Sequence, residues 1–207
     1  MTRLRAGSSS LLELVTVVAV ALGVALLVQA FVVKPYRIPS GSMEPTLDVG
    51  ERVIVNRLGA RFSDPEVGDI VVFHPPHGAD VHACGASGEG PFYDGPASRR
   101  PCSRPTPTRS DQNFIKRVVA GPGDRIAVRD GHVVLNGEPQ RESFVRACGG
   151  GPDCDLEEIT VPEDMYFMMG DNRGASDDSR YWGPVPRDWI IGGAFVTYWP
   201  PKDIGLL

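Results

Sequence analysis

Phe114-Ile115-Lys116-Arg117-Val118-Val119, then Arg125-Ile126-Ala127-Val128, then His132-Val133-Val134-Leu135 form three short apolar-rich runs separated by Gly121-Pro122-Gly123 and Asp130-Gly131 and closed by Asn136-Gly137. Asp-Gly and Asn-Gly supply the positive φ angles that two-residue hairpins need, so the stretch predicts a meander of antiparallel strands. Further runs at Arg52–Val55, Asp69–Phe73, Met165–Met169 and Ile190–Tyr198 have strand length, and the 24 glycines and 19 prolines fall between such runs rather than in a periodic array. The expectation is a mostly β, antiparallel domain. With 207 residues the chain holds one domain and an appendage. Its formal charge of −5 argues against a nucleic-acid partner, which needs a basic face to displace phosphate counterions. The absence of a repeat of 20–50 residues argues against a solenoid or propeller.

The appendage lies at the front. After Arg3, Arg5 and Glu13 no charge occurs from Leu14 to Val33, a run of 20 residues with only Thr16 and Gln29 polar. A helix of that length spans about 30 Å, the hydrocarbon thickness of a bilayer. The domain expectation is therefore a short cytoplasmic N-terminus at 1–13, a transmembrane anchor at 14–33 and a β-rich extracytoplasmic domain at 34–207. A cleavable secretory signal is the competing reading, because Val28-Gln29-Ala30 has suitable spacing for a cut. The run continues past that point through Phe31-Val32-Val33 and is longer than a signal core, which favours an uncleaved anchor. Basic residues nearly balance across it, so charge alone does not orient it.

Cys84, Cys102, Cys148 and Cys154 form an even set downstream of the anchor, without C-x-x-C spacing. Disulfides in an oxidising compartment are the expectation, with Cys148 and Cys154 bracketing a flexible loop; buried free thiols are the alternative. Residues 75–110 read as an irregular insert, with Cys84–Cys102 as a candidate pin. His74, His77, His82 and Cys84 have spacings that can ligate a metal, yet no acidic orienter accompanies them, so the expectation is no metal and no cofactor.

Three strings carry chemistry. In Ile38-Pro39-Ser40-Gly41-Ser42-Met43-Glu44-Pro45-Thr46-Leu47 a rigid turn presents hydroxyls beside backbone N–H groups, as a nucleophile and oxyanion donor require. No histidine stands in a recognisable base motif, which leaves a lysine as candidate. In a strand, Phe114, Lys116 and Val118 share a face, and burial there would depress the lysine's pKa from ~10.4 to ~8 at a cost of about 3 kcal/mol. Taken alone, Lys116 also reads as an ordinary surface lysine. The third string, Gly170-Asp171-Asn172-Arg173-Gly174-Ala175-Ser176-Asp177-Asp178-Ser179-Arg180-Tyr181-Trp182-Gly183, is dense in small polar groups, and Asp178 and Arg180 can pair locally.

In this order the blocks Tyr36–Asp48, Gly68–Phe73, Phe114–Asp124 and Gly170–Gly183 resemble the bacterial type I signal peptidases. The resemblance implies an antiparallel β catalytic domain, like that of the repressor-type peptidases, behind one transmembrane helix. It implies Ser42 as nucleophile, Lys116 as general base, and the Ser40 hydroxyl with the Ser42 N–H as oxyanion hole. Ser176 would orient the lysine, with Asp171, Asp178 and Arg180 as supports. Tyr36, Ile38, Pro39, Met43, Leu47, Phe114 and Ile115 would form the substrate pocket, selecting small residues at the first and third positions before the cut. The implied partners are signal-peptide-bearing preproteins and the lipid bilayer, near the secretion translocon. The implied location is the plasma membrane, single-pass, with the catalytic domain on the extracytoplasmic side. Ala120-Gly121 departs from the family's usual glycine followed by an apolar residue, and the insert is long. A self-cleaving Ser–Lys peptidase of the repressor type and a catalytically silent membrane-tethered binding module are the rival readings. The anchor and the absence of a DNA-binding front end weigh against the first, and the intact Ser–Lys pair against the second.

Overall fold

The computed structural model describes residues 7–81, 101, 107–151 and 154–207. An N-terminal helix, α1 (Gly7–Phe31), leads into strands β1 (Val33–Arg37), β2 (Arg52–Asn56), β3 (Ile70–Phe73) and β4 (Phe114–Ala120). Strands β5 (Arg125–Arg129), β6 (His132–Leu135), β7 (Glu138–Pro139), β8 (Leu156–Thr160) and β9 (Met165–Met169) follow, then β10 (Val185–Pro186), β11 (Ile190–Trp199) and β12 (Gly205–Leu206). Two single-turn helices, α2 (Gly59–Phe62) and α3 (Ser179–Trp182), interrupt them.

The larger sheet runs β1-β2-β11-β3-β4-β9-β10 with β12 on β11, and the smaller runs β7-β6-β5-β8. All of the pairings are antiparallel. The meander expected at Arg125–Gly137 is present: Asp130 (φ 49°) and Gly131 (φ 80°) turn β5 into β6, and Asn136 (φ 53°) and Gly137 (φ 87°) turn β6 into β7. Two consecutive positive φ values match the right-handed twist of the strands they join.

Strand β3 is buried at every position, as a central strand covered on both faces must be. Its alternation divides the core. Val71 and Phe73 join Val118, Tyr166, Met168 and Trp182 on one face. Ile70 and Val72 join Ile38, Met43, Leu47, Val53 and Ile115 on the other. A third cluster, with Val119, Ile126, Val128, Phe167 and Met169, packs between the two sheets.

Helix α1 carries large apolar side chains, Leu12, Val17 and Val20 among them, that are about half or more exposed. No helix is long and apolar enough to cross a membrane among the described residues. Val33, at the end of the uncharged run, already belongs to β1. Of the cysteine expectations, Cys148–Cys154 is a disulfide, whereas Cys84, Cys102 and His82, with most of the insert, lie outside the described residues.

Candidate active site

The segment after β1 makes a 3-10 turn at Gly41–Met43, and this turn buries Ser42 and Met43. Burial of Met43 and Leu47 in the core anchors the turn against β2 and β3. From the other side, the segment following β9 holds it: the Asn172 N–H donates to Ser42 O at 3.0 Å, and Asn172 Nδ2 donates to Gly41 O at 3.0 Å. The turn therefore presents Ser42 Oγ to β4. There Lys116 Nζ donates to Ser42 Oγ at 2.7 Å, linking residues 74 positions apart in the chain. The Ser40 hydroxyl stands 3.4 Å from Ser42 Oγ, at the outer limit of a hydrogen bond.

Lys116 is 4% exposed and shares its strand face with Phe114, whose ring centroid lies 5.9 Å from Nζ. Burial pushes its ammonium down from 10.5 to about 8. Asp178 and Asp177 pull against that fall, Arg180 adds to it, and Asp171 opposes it more weakly. A nucleophilic hydroxyl at hydrogen-bond distance from an amine that is partly neutral near neutral pH is the arrangement that general-base activation needs.

The supports form two forks. Arg180 grips Asp178 through Nε to Oδ1 at 2.8 Å and Nη2 to Oδ2 at 2.9 Å, and also reaches Arg173 O at 2.7 Å. Burial by itself would raise the Asp178 pKa, but the charge and hydrogen bonds of Arg180, with Lys116 and the Gly170 N–H, hold it below the ordinary carboxylate range. Asp171 accepts Arg117 Nε at 2.9 Å and Nη2 at 2.7 Å, and Thr46 Oγ1 donates to the same carboxylate at 2.5 Å. Thus Asp171 ties β4 to the serine turn. Breaking either buried pair from one side would leave an uncompensated charge, at about 3–5 kcal/mol.

Sequence reasoning missed several residues of this frame. Arg117 follows Lys116 on the opposite strand face and was not recognised as the partner of Asp171. The buried Arg173 reaches Glu142 Oε1 at 2.6 Å, a pair set by folding across 31 positions that no local spacing betrays. Gly170 is the third. A Cβ there would collide with Ser176 Oγ and Ser42 O, so only glycine lets the loop approach the serine turn. Its place at the head of the polar string was the available signal.

A cleft of about 350 Å³ opens over the pair, lined by Pro39, Ser40, Ser42, Phe114, Ile115 and Lys116. Asp80, Gln112, Asn113, Ala175 and Asp177 complete its wall. None of these five was among the expected pocket residues; Gln112 Nε2 donates to Asp80 Oδ2 at 3.1 Å, so a residue within the insert and one just beyond it shoulder the cleft. Of the expected pocket residues, Ile38, Met43 and Leu47 are 0–1% exposed and sit in the core beneath the cleft rather than on its wall, with Tyr36 packed against the same cluster. Residues 38–40 lie in the irregular stretch between β1 and the 3-10 turn, where Ile38 is buried and Pro39 and Ser40 are exposed toward the opening. The Ser176 hydroxyl, expected on the lysine, is buried without a hydrogen-bond partner, and Lys116 bonds Ser42 instead. Another cavity, of about 250 Å³, is lined by Asn56, Ser63, Asp69 and Phe195 and contains no nucleophile–base pair.

Comparison with known proteins gives concordant matches. The family model "Signal peptidase, peptidase S26" matches residues 11–199. The chain is similar to a probable signal peptidase I-2 of Synechocystis, 38% identical over 194 residues that cover 94% of this chain and 74% of that one. It is similar to a signal peptidase I of Leptolyngbya laminosa, 35% identical over 199 residues, 96% of this chain and 85% of that one. A crystal structure of a signal peptidase I from Enterococcus faecalis aligns with a TM-score of 0.42 at 25% identity, covering 63% of this chain and 97% of that one.

Proposed function

Because the chain belongs to the signal peptidase family, peptidase S26, we propose that it is a membrane-anchored serine endopeptidase that removes signal peptides with Ser42 as nucleophile and Lys116 as general base. The observation that carries this reading is the 2.7 Å contact between Lys116 Nζ and Ser42 Oγ, made by an amine whose pKa is lowered to about 8. Neutral Lys116 takes the Ser42 proton as Oγ attacks the scissile carbonyl. The oxyanion is met by the Ser42 N–H and the Ser40 hydroxyl, and Lys116 returns the proton to the leaving amine. Water, deprotonated by the same lysine, then hydrolyses the acyl-enzyme. Ser176 would take up its missing hydrogen bond with the lysine during this cycle, so its role is to position the base. Asp171, Asp178 and Arg180 hold the two flanking segments in register.

The cleft favours small side chains before the cut, because Ile115, Phe114 and Pro39 close its apolar part over a well-packed floor. Anchoring rests on the uncharged run 14–33 and on α1 side chains that no core covers. The Cys148–Cys154 disulfide supports placing the domain on the oxidising, extracytoplasmic side of the plasma membrane, where preproteins emerge near the translocon.

The test is cleavage of a purified preprotein by the full chain in detergent, with the new N-terminus sequenced, beside Ser42→Ala and Lys116→Ala. A cut after a small-x-small triplet, lost in both variants, is the expected result. A cut that survives in either variant removes that residue from the mechanism, and folded wild-type protein that neither cleaves nor is acylated at Ser42 points to a silent binding module.

A further inference from the structure

One peptide unit of the serine turn, the one joining Gly41 to Ser42, carries the backbone donor of the oxyanion hole. Its N–H belongs to Ser42 and its C=O to Gly41. The bond is trans, so the two groups point in opposite directions. Whatever holds the Gly41 oxygen therefore aims the Ser42 N–H.

Two donors hold that oxygen. The Glu44 N–H closes the 3-10 turn on Gly41 O at 3.2 Å, and Asn172 Nδ2 donates to the same atom at 3.0 Å. A carbonyl only accepts, which identifies the Asn172 atom facing it as the amide nitrogen. Asn172 is 8% exposed and, among the described residues, takes no part in the wall of the cleft, so it reaches the turn from behind. Its backbone is fixed independently of its side chain. The Arg146 N–H donates to Asp171 O at 2.9 Å and the Arg173 N–H to Arg146 O at 3.3 Å, a parallel bridge centred on Asn172. The Asn172 N–H itself donates to Ser42 O at 3.0 Å. Truncating the side chain thus removes one bond, leaves the loop joined to the turn, and leaves Gly41 O with Glu44 as partner.

We propose that Asn172 is a positioning residue for the oxyanion hole: its side-chain amide fixes the plane of the Gly41–Ser42 peptide and polarises the Ser42 N–H that meets the oxyanion. The proposal rests on the peptidase reading above. A carbonyl that accepts a second hydrogen bond draws electron density from its amide nitrogen, and the N–H becomes a stronger donor, as bonds in a chain reinforce one another. A fixed plane also keeps the donor directed before charge develops, so the reaction needs no reorganisation there.

The experiment compares wild type with Asn172→Ala, as full chains in detergent, on three ligands built on one small-x-small peptide. These are the cleavable peptide, its C-terminal aldehyde, and a reduced-amide analogue with CH2–NH in place of the scissile CO–NH. In the aldehyde adduct the Ser42 Oγ–carbon bond forms, the carbonyl π pair moves onto oxygen and Lys116 takes the Ser42 proton, so the hole is loaded. The reduced amide fills the cleft with no oxygen at the hole. In Asn172→Ala, kcat/KM and aldehyde affinity should both fall about tenfold, a part of the 10²–10³-fold that one donor supplies. Reduced-amide affinity should be unchanged, and the acylation rate should keep its inflection near the lysine's pKa of about 8. Asn172→Asp, of the same shape but without the donor, should fall at least as far. Aldehyde affinity equal to wild type in both variants overturns the proposal. An equal loss of reduced-amide affinity, or a moved inflection, overturns it in favour of a displaced serine turn. These outcomes all presuppose an active wild type; folded wild type that neither cleaves nor is acylated refutes the peptidase reading, and this proposal with it.

Discussion

Replacing Lys116 by methionine removes a buried amine while keeping an unbranched side chain of similar length, and the expected result is a more stable protein below pH 8. In the folded chain the lysine's pKa is lowered from 10.5 to about 8. That gap is ~2.5 units, and at about 1.36 kcal/mol per unit it corresponds to about 3 kcal/mol. The sign follows from proton counting. Below pH 8 the lysine is protonated in both states, so the folded state bears the full cost of the buried charge. Between about pH 8 and 10.5 the unfolded chain binds more protons than the folded one, and stability therefore rises with pH. Above 10.5 both are neutral and the cost is gone. The stability gain of Lys116→Met over wild type should thus be largest at pH 6 and should shrink by about 3 kcal/mol by pH 10.5. For a domain of this size that is a change in the Tm difference of roughly 6–12 °C. Thermal unfolding followed by near-UV circular dichroism in detergent measures it, and any pH-independent change in packing cancels between the two pH values. A Tm difference that is the same at both would refute the buried-charge reasoning.

The remaining predictions test the frame around the pair. Ser40→Ala should lower kcat on a preprotein about 10²–10³-fold with little change in KM, as loss of one oxyanion donor does; an unchanged kcat would remove Ser40 from the hole. Gly170→Ala places a methyl group against Ser176 and the Ser42 carbonyl. It should cost about 1–3 kcal/mol in denaturant unfolding and displace the serine turn enough to suppress acylation. Arg180→Met strands the Asp178 carboxylate at 0% exposure and should cost about 3–5 kcal/mol in the same assay, with Asp178→Asn in the same background recovering part of it.

The strands that alternation or a continuous apolar run marks, β2, β3, β4, β5, β6, β9 and β11, were legible in the sequence to within one or two residues at each end, because their periodicity is local. The turns at Asp130-Gly131 and Asn136-Gly137 were legible for the same reason. Strand β1 was not: it is the edge of the larger sheet, contains Pro35, and is held by its pairing with β2 rather than by its own pattern. Strand β8, Leu-Glu-Glu-Ile-Thr, buries little of its length and is defined by β5 beside it.

The candidate site divides the same way. Ser42, Lys116 and the 170–183 string stood out through the resemblance that the three strings carry together, not through any one of them alone. The inward turn of Ile38, Met43 and Leu47 depends on which residue of an irregular turn meets the core, and the pairing of Arg117 with Asp171 depends on β4 lying beside β9. The contribution to the cleft of Asp80, in the insert, and of Gln112, just beyond it, likewise follows from tertiary placement.

The central claim is that Lys116 deprotonates Ser42, and the rate of Ser42 acylation as a function of pH tests it most directly. A serine-directed acylating probe is added to the full chain in detergent, and intact mass is followed for wild type, Ser42→Ala and Lys116→Ala. The account predicts a single rise with an inflection near the lysine's pKa of about 8, a negligible rate for Lys116→Ala, and no adduct on Ser42→Ala. Acylation of Lys116→Ala at the wild-type rate, or a wild-type inflection near 5, would contradict it.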